Sequence, residues 1–168
     1  MENIEQIRHS LAHLLAMVVK EKYPEAKLGL GPAIENGFYY DFDLGEKSLT
    51  DTDLDELEKK MRSLISQNLD FATETITADK ACEIFAAEPY KLELIDELEK
   101  NSESISIYRS GDFVDLCAGP HVANSSDIPR DSFRLDRLAG AYWRGNENNK
   151  MLTRVYGLAF TSKPELND

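Results

Sequence analysis

Residues 27–44 read KLGLGPAIENGFYYDFDL, and this stretch decides the fold class. Asn36-Gly37 is the strongest kind of short turn signal, and apolar and aromatic residues flank it. Both residue types tolerate positive φ, so the stretch predicts a β-hairpin. Two more hairpins are predicted, one turning at Ser110-Gly111 and one formed by two strands around a polar turn within residues 131–160.

Helical patterns alternate with these hairpins. Residues 4–23 place apolar side chains three and four positions apart, which predicts an amphipathic helix that ends before Pro24. Further elements are predicted at residues 69–77 for a strand, and at 49–68, 78–88 and 89–101 for helices. The alternation indicates an α+β fold in two layers, with helices packed on one face of a mostly antiparallel sheet.

Composition bounds the class of protein. The 168 residues are 42% hydrophobic, enough for the core of one domain, to which we assign residues 1–160. In residues 161–168, Ser162 and Pro164 suit a first helical turn, so we expect a linker helix that continues beyond them. The chain shows no secretory signal, no apolar run of roughly 20 residues and too few cysteines for a disulfide framework, so we expect a cytosolic protein without a membrane partner.

The charge is strongly negative and unevenly distributed. The net charge is −12 at pH 7, and such a surface repels nucleic acid at long range. The acidic excess lies mainly in residues 46–103, whereas the last third carries several arginines, including Arg144. An ordinary solvated surface shows the same contrast, so charge alone does not identify a binding face.

All three histidines fall in two short frames, of which the first is on the first helix. His9 and His13 lie four residues apart, so they point the same way, one turn apart. They fall on the side of Ala12 and Ala16, outside the main apolar stripe. The small alanine side chains are expected to leave room for a ligand to approach.

The second frame is DLCAGPH, residues 115–121, in which Cys117 precedes His121 by four positions. Imidazole and thiolate are zinc ligands, so the two frames together suit a zinc site, whereas each frame alone is a weak signal. Asp115 lies two residues before Cys117, and on a strand both side chains would face the same way. Three further residues are candidates for the site: Lys91, Tyr39 and Tyr40. Taken alone, the lysine is expected to be solvated and the tyrosines to lie in the core, although a tyrosine hydroxyl can face a pocket.

Five segments stand in order across almost the whole chain: RHSLAHLL, GPAIENGFYYDF, EPYKLELI, YRSGDFVDLCAGPH and LAGAYWRGNENNKMLTRVYGLAF. In this order they resemble the editing domain of bacterial threonyl-tRNA synthetase, a domain shared with alanyl-tRNA synthetase. The last two segments are specific for the threonyl branch. The resemblance implies the fold of that domain and a proofreading function.

Proofreading is needed because serine differs from threonine by one methyl group, worth only about 1–3 kcal/mol in a pocket. The resemblance implies a site that hydrolyses seryl-tRNA(Thr) and excludes threonine by sterics. The chain would be an aminoacyl-tRNA ester hydrolase without aminoacylation activity, and its partner would be the 3′ acceptor end of tRNA(Thr). The aminoacylation core, the anticodon-binding domain and a small leading domain accompany it in the family. Without them we expect weak binding of whole tRNA. We also expect a monomer, because no obvious apolar strip remains once the helices are assigned to the core.

The resemblance also assigns roles to residues. His9 transfers protons, because imidazole titrates near neutral pH. Lys91 positions water or stabilises the oxyanion, and Asp115 holds the ammonium group of the substrate. Cys117 shapes the pocket without acting as a nucleophile, since nothing in the sequence guarantees a lowered pKa of its thiol. The remaining expected site members are His13 and His121 for catalysis, and Tyr39, Tyr40 and Arg144 for substrate binding.

The metal content separates the alternatives. The same frames bind zinc in the alanyl branch, whereas resemblance to the threonyl branch implies a metal-free site. We therefore expect no cofactor, with zinc held by His9, His13, Cys117 and His121 as the alternative. Three other interpretations stay open: a freestanding zinc-dependent editing protein of the alanyl type, a non-catalytic module that guides the acceptor end, and an unrelated zinc hydrolase or structural zinc domain.

Overall fold

The structure, a computed structural model, describes residues 3–116, 120–161 and 166. The helices are α1 (Ile4–Lys22), α2 (Asp51–Ser66), α3 (Ala78–Ile84) and α4 (Pro89–Lys100). The strands are β1 (Lys27–Leu28), β2 (Ala33–Ile34), β3 (Gly37–Asp43), β4 (Ala72–Ile76), β5 (Ile105–Ser110), β6 (Phe113–Leu116), β7 (Phe133–Tyr142) and β8 (Met151–Ala159). The predicted α+β class is confirmed.

The larger sheet runs in the order β1-β3-β8-β7, with β2 also paired to β3, and all pairings are antiparallel. β3 alternates sides, so Phe38, Tyr40 and Phe42 face the core with under 2% of their surface exposed. α1 packs on β3 and α2 packs on β7, which covers this face with helices as expected.

The smaller sheet contains β4, β5 and β6, again antiparallel. The expectation of a single sheet is therefore wrong. The second sheet forms because α3 and α4 supply it with a separate core, in which Phe85 and Ile95 pack with Ile105 and Ile107. The two sheets meet at α1 and β3, where the candidate site lies.

α1 begins at an Asn3 cap, whose side chain accepts a hydrogen bond from the Glu5 backbone at 2.8 Å, and it ends before Pro24 as predicted. The expectation of open space beside its alanines is wrong. Ala12 and Ala16 are fully buried, because α1 lies between elements of both sheets and not on an outer surface. The open space beside His9 and His13 lies instead toward α4 and β6.

The predicted hairpins are confirmed, with two turns displaced by one residue. In the first, Ile34 pairs with Gly37, so the loop is Glu35-Asn36, and Asn36 takes a φ of 67°. Gly37 instead begins β3, where a Cβ would lie 1.9 Å from the Gly157 carbonyl oxygen. In the other, Ser110 pairs with Phe113 and Gly111 takes the positive φ. The linker helix expected at 161–168 falls almost wholly outside the described residues.

Candidate active site

A cavity of about 460 Å³ lies where α1, α4, the β5–β6 hairpin and the segment before β2 meet. Leucines of α4 form an apolar wall, and the polar lining includes Glu97, Ser104 and Ser106 beside five expected residues: His9, His13, Tyr40, Lys91 and Asp115. A mostly apolar pocket with a few convergent polar groups is typical of a small-molecule site. Five of the expected site residues are thus brought together from four separate elements.

Asp115, on β6, anchors the polar end of the cavity. Its carboxylate is 1% exposed, and its Oδ1 accepts hydrogen bonds from Lys91 Nζ and the Leu116 backbone, both at 2.8 Å. Its Oδ2 contacts His13 Nδ1 at 3.1 Å and accepts the Tyr40 hydroxyl at 2.7 Å. A carboxylate has about four lone-pair sites, so these contacts use its whole accepting capacity.

The charges around Asp115 keep it ionised. Burial works to raise the pKa of this carboxyl, because a charged group loses solvation in the interior. Lys91 and His13 outweigh burial and hold the pKa well below its ordinary value. Burial and the Asp115 charge together raise the pKa of Tyr40 far above its usual range, so its hydroxyl remains a hydrogen-bond donor.

Lys91 is the third residue of α4 and is 2% exposed. The alternative of a solvated surface lysine is therefore excluded. Pro89 begins the helix with the fixed φ that suits its first turn, which orients the side chain two positions later. The Lys91 ammonium also lies 5.2 Å from the centre of the Tyr40 ring, so the cation is held by a carboxylate and an aromatic face.

His13 is fixed from two sides. Its Nδ1 faces Asp115, and its ring stacks on Tyr108 of β5 with centroids 4.1 Å apart and planes 9° apart. His121 approaches the same ring edge-on, with centroids 6.4 Å apart. The two histidine frames therefore meet as the sequence predicts. The contact that joins them, between His13 and Asp115, links residues 102 positions apart.

His9 and His121 are half-buried, and burial lowers the pKa of each imidazole below 6.5, with a further lowering by His13. Both rings are thus mainly neutral at pH 7. The His121 Nδ1 lies 3.0 Å from the Val122 carbonyl, which only accepts, so Nδ1 is assigned the proton. Its Nε2 then accepts the Thr73 hydroxyl at 2.6 Å.

Three of the described expected site residues, Tyr39, Arg144 and His121, do not line the cavity. His121 lies next to it, edge-on against the His13 ring. Tyr39 lies on the opposite face of β3 from Tyr40, with the Arg154 guanidinium 3.8 Å from its ring centre. Arg144 forms ion pairs with Glu93 and Glu97 of α4, of which Glu97 lines the cavity. Cys117 lies outside the described residues.

Comparison with known proteins gives the context of this site. The family model described as the threonyl and alanyl tRNA synthetase second additional domain matches residues 105–156. The chain is 50% identical over 164 residues to a threonine--tRNA ligase of Dehalococcoides mccartyi, covering 98% of the chain and 27% of that protein. Identity is 49% over 166 residues with the enzyme of Thermotoga neapolitana and 47% over 165 with that of Staphylococcus epidermidis, each covering 98% of the chain and 25% of the relative.

The chain belongs to the threonyl/alanyl-tRNA synthetase second additional domain family. These relatives are threonine--tRNA ligases, so the chain is an editing-domain portion of the bacterial threonyl type, as the five segments predict. It spans about a quarter of the length of those relatives.

The zinc alternative names four ligands, of which the structure describes the three histidines, His9, His13 and His121. Among residues 3–116, 120–161 and 166, no three histidine, cysteine, aspartate or glutamate side chains converge on a position that could hold a metal. Asp115 contacts His13 through Nδ1, a contact that zinc-binding histidines also make through the nitrogen that does not bind the metal. In His121 the nitrogen not held by the Val122 carbonyl contacts Thr73. Cys117, the fourth expected ligand, is not among the described residues.

Sequence reasoning missed two residues that hold the editing-domain histidines in place. Ser10 is fully buried, and its hydroxyl accepts the Val122 backbone N–H at 2.9 Å, which ties α1 to the loop that carries His121. Thr73 orients His121 itself. Neither stands in a recognisable spacing, although Ser10 between two histidines was a visible hint.

No described helix is long and apolar enough to cross a membrane.

Proposed function

We propose that this domain hydrolyses the ester of seryl-tRNA(Thr), the mischarged product that a threonyl-tRNA synthetase must remove. The observation that carries the proposal is the buried Asp115–Lys91–His13 network at the polar end of a cavity that His9 also lines. A buried cation beside the neutral imidazole of His9 suits ester hydrolysis, in which negative charge develops on a carbonyl oxygen.

The reaction divides among these groups. Water attacks the ester carbonyl, and the C–O bond to the terminal ribose breaks, with the proton passing from water to the released ribose oxygen. His9, neutral at pH 7, accepts that proton and returns it. Lys91 has three N–H donors, of which the described contact uses one on Asp115, so the others can stabilise the oxyanion.

The structure changes the role we propose for Asp115. Direct binding of the substrate's ammonium group was expected, but the carboxylate already accepts contacts from Lys91, Leu116, His13 and Tyr40. We propose that Asp115 positions Lys91 and His13 instead. It resembles the carboxylate that orients the base in other hydrolytic sites, where removal of the orienting group costs several orders of magnitude in rate.

Selection between serine and threonine requires a rigid wall. The backbone at Gly31 lies against the Tyr40 ring, and a Cβ there would sit 2.1 Å from Tyr40 Cδ2. Tyr40 in turn is 1% exposed and is fixed to Asp115 by its hydroxyl. A wall built this way cannot yield to an extra methyl group, which supports exclusion of threonine by sterics.

The experiment is a comparison of ester loss from seryl-tRNA(Thr) and threonyl-tRNA(Thr) with the domain at high concentration. We expect the seryl ester to be lost at least about tenfold faster, as a steric penalty above about 1.4 kcal/mol gives. His9→Ala and Lys91→Ala should each lower the rate at least about 100-fold. Asp96→Ala, on the exposed side of the same helix as Lys91, is the matched control.

Full activity in both the His9 and Lys91 variants would refute the assignment. Lack of hydrolysis by the domain, and also by the domain fused to the downstream parts of a threonine--tRNA ligase, would favour the non-catalytic module. We propose a metal-free reaction in the cytosol, acting on the acceptor end of tRNA(Thr). The net charge of −12 supports weak binding of whole tRNA by this domain, with most affinity supplied by the rest of the synthetase.

A further inference from the structure

The β7–β8 tip, residues 143–150, packs against the flank of α4, and its Arg144 pairs with Glu97, a residue that also lines the cavity. Trp143 is 4% exposed, and its Nε1 donates to Glu93 Oε2 at 3.0 Å. Arg144 donates to the other oxygen of Glu93 at 3.0 Å and also pairs with Glu97. One carboxylate on α4 therefore receives both neighbouring side chains of the tip.

The helix divides into two faces. Lys91, Leu94 and Leu98 are spaced three and four residues apart, and all three line the cavity. Tyr90, Glu93 and Glu97 have the same spacing one position away, and all three contact the tip. Glu97 also lines the cavity, so it lies where the two faces adjoin. The rotation of α4 about its axis is thus set by the tip on one face, and it determines where Lys91 points on the other.

The tip is also fixed to the large sheet beneath it. Tyr90 packs edge-on against Trp143, with ring centroids 4.9 Å apart, and its hydroxyl donates to Asp43 at 2.6 Å. Lys150 pairs with the same Asp43 at 2.9 Å. Asp43 ends β3, the strand that carries Tyr40 into the cavity, so the tip joins α4 to the strand on the other side of the site.

The backbone of the tip is shaped for this contact. Arg144 has a φ of 59°, in the left-handed region that a residue with a Cβ adopts only when its surroundings impose it. Asn149 Nδ2 donates to the Trp143 carbonyl at 2.9 Å and closes the loop. The tip is therefore a rigid element and not a flexible connection.

We infer that Trp143 and Glu93 are positioning residues for the Lys91 ammonium, acting through α4 without touching the substrate. The expected effect of these residues on the hydrolysis rate rests on the proposed function. Their expected effect on the position of Lys91 does not. Arg144 then belongs to this contact and not to substrate binding. A displacement of about 1 Å in a catalytic group lowers the rate about 100-fold, so even a small rotation of α4 is costly.

The first test labels lysines with an amine-acylating reagent and measures each site by mass spectrometry. Lys91 should be acylated at least about fivefold faster in Glu93→Ala and in Trp143→Phe than in the parent, because α4 opens more often. Lys60, on α2, is already accessible in the folded state, so it controls for reagent reactivity and should not change, while the urea-unfolding midpoint of each variant reports any global loss of stability. Asp96→Ala removes an equally exposed acid from α4 and is the matched control. Lys91 rates within twofold of the parent in both variants would overturn the inference.

The second test measures hydrolysis of seryl-tRNA(Thr). Glu93→Ala should lower kcat by about 10- to 100-fold with KM within about threefold, and the same change should have less than a twofold effect in a Lys91→Ala background. An equal effect in both backgrounds, or an effect on KM alone, would overturn the positioning role. If the parent hydrolyses nothing, the proposed function fails while the labelling result still decides the inference.

Discussion

Replacing Asp115 by Asn tests the centre of the site with almost no change in shape. The substitution removes the charge that pairs with Lys91, and both side chains are almost fully buried, with 1% and 2% of their surface exposed. Breaking a buried pair from one side costs about 3–5 kcal/mol, because the remaining cation has no solvent and no opposite charge, only the Tyr40 ring face. We therefore expect the free energy of unfolding to fall by about 3–5 kcal/mol at pH 7.

The assay is urea unfolding at pH 7, followed by far-UV circular dichroism and by fluorescence of the single tryptophan, Trp143. Asp96→Asn is the control, because that residue pairs with Lys100 in solvent, and we expect a change below about 0.5 kcal/mol. Adding Lys91→Met to Asp115→Asn removes the unpaired cation, and about 1–2 kcal/mol should return.

The pH dependence follows from the direction of the pKa shift. The folded-state pKa of Asp115 lies below its ordinary value of 3.8, so its stabilisation is complete above pH 3.8 and is lost as pH falls through the folded-state pKa. The difference between parent and Asp115→Asn should thus be constant from pH 5 to 7 and shrink only in strong acid, below about pH 4. A loss under 1 kcal/mol at pH 7, or no return with Lys91→Met, would refute the reasoning.

Three further results are expected. For seryl ester hydrolysis, kcat/KM should be flat above pH 6.5 and fall as pH drops through the lowered pKa of His9; an acid limb centred above pH 6.5 would contradict this. Gly157→Ala should lower the free energy of unfolding in urea by about 1–3 kcal/mol, since its Cβ would lie 2.2 Å from the buried Phe38 ring. An unchanged unfolding midpoint would contradict this, because it would mean that the Phe38 side chain can move aside. Dialysis against a chelator should leave the rate of the domain unchanged, whereas activity that is lost and restored by zinc would support the alternative site.

The parts of the fold that follow from local pattern are the parts the sequence predicts well. The α1 and α2 stripes, the proline at the start of α4 and the hairpins all depend on residues within one or two turns of each other. The division into two sheets depends instead on which of the two cores each helix packs into. The spacing of apolar residues along a helix does not determine this choice. The displaced turn at Asn36 depends on Gly157, more than 100 residues away, because only glycine fits opposite that carbonyl.

The site shows the same limit. The histidine frames and the resemblance bring His9, His13, Lys91, Asp115 and His121 to one region, and the structure places all five around it. Tyr39 and Tyr40 are adjacent in sequence, but strand alternation sends only one of them to the cavity. Ser10 and Thr73 act through backbone and ring geometry across the chain, and no sequence pattern reports such contacts.

The place of β3 in the large sheet has a consequence for biosynthesis. It pairs with β1 and β2, both made just before it, and with β8, the last of the described strands to be made, with Phe42 paired to Thr153. A ribosome adding about 5–20 residues per second needs roughly 5–20 s to pass from one strand to the other. During that interval the nascent chain carries the aromatic face of β3 without its partner strand, so this segment is where a chaperone would engage the emerging protein.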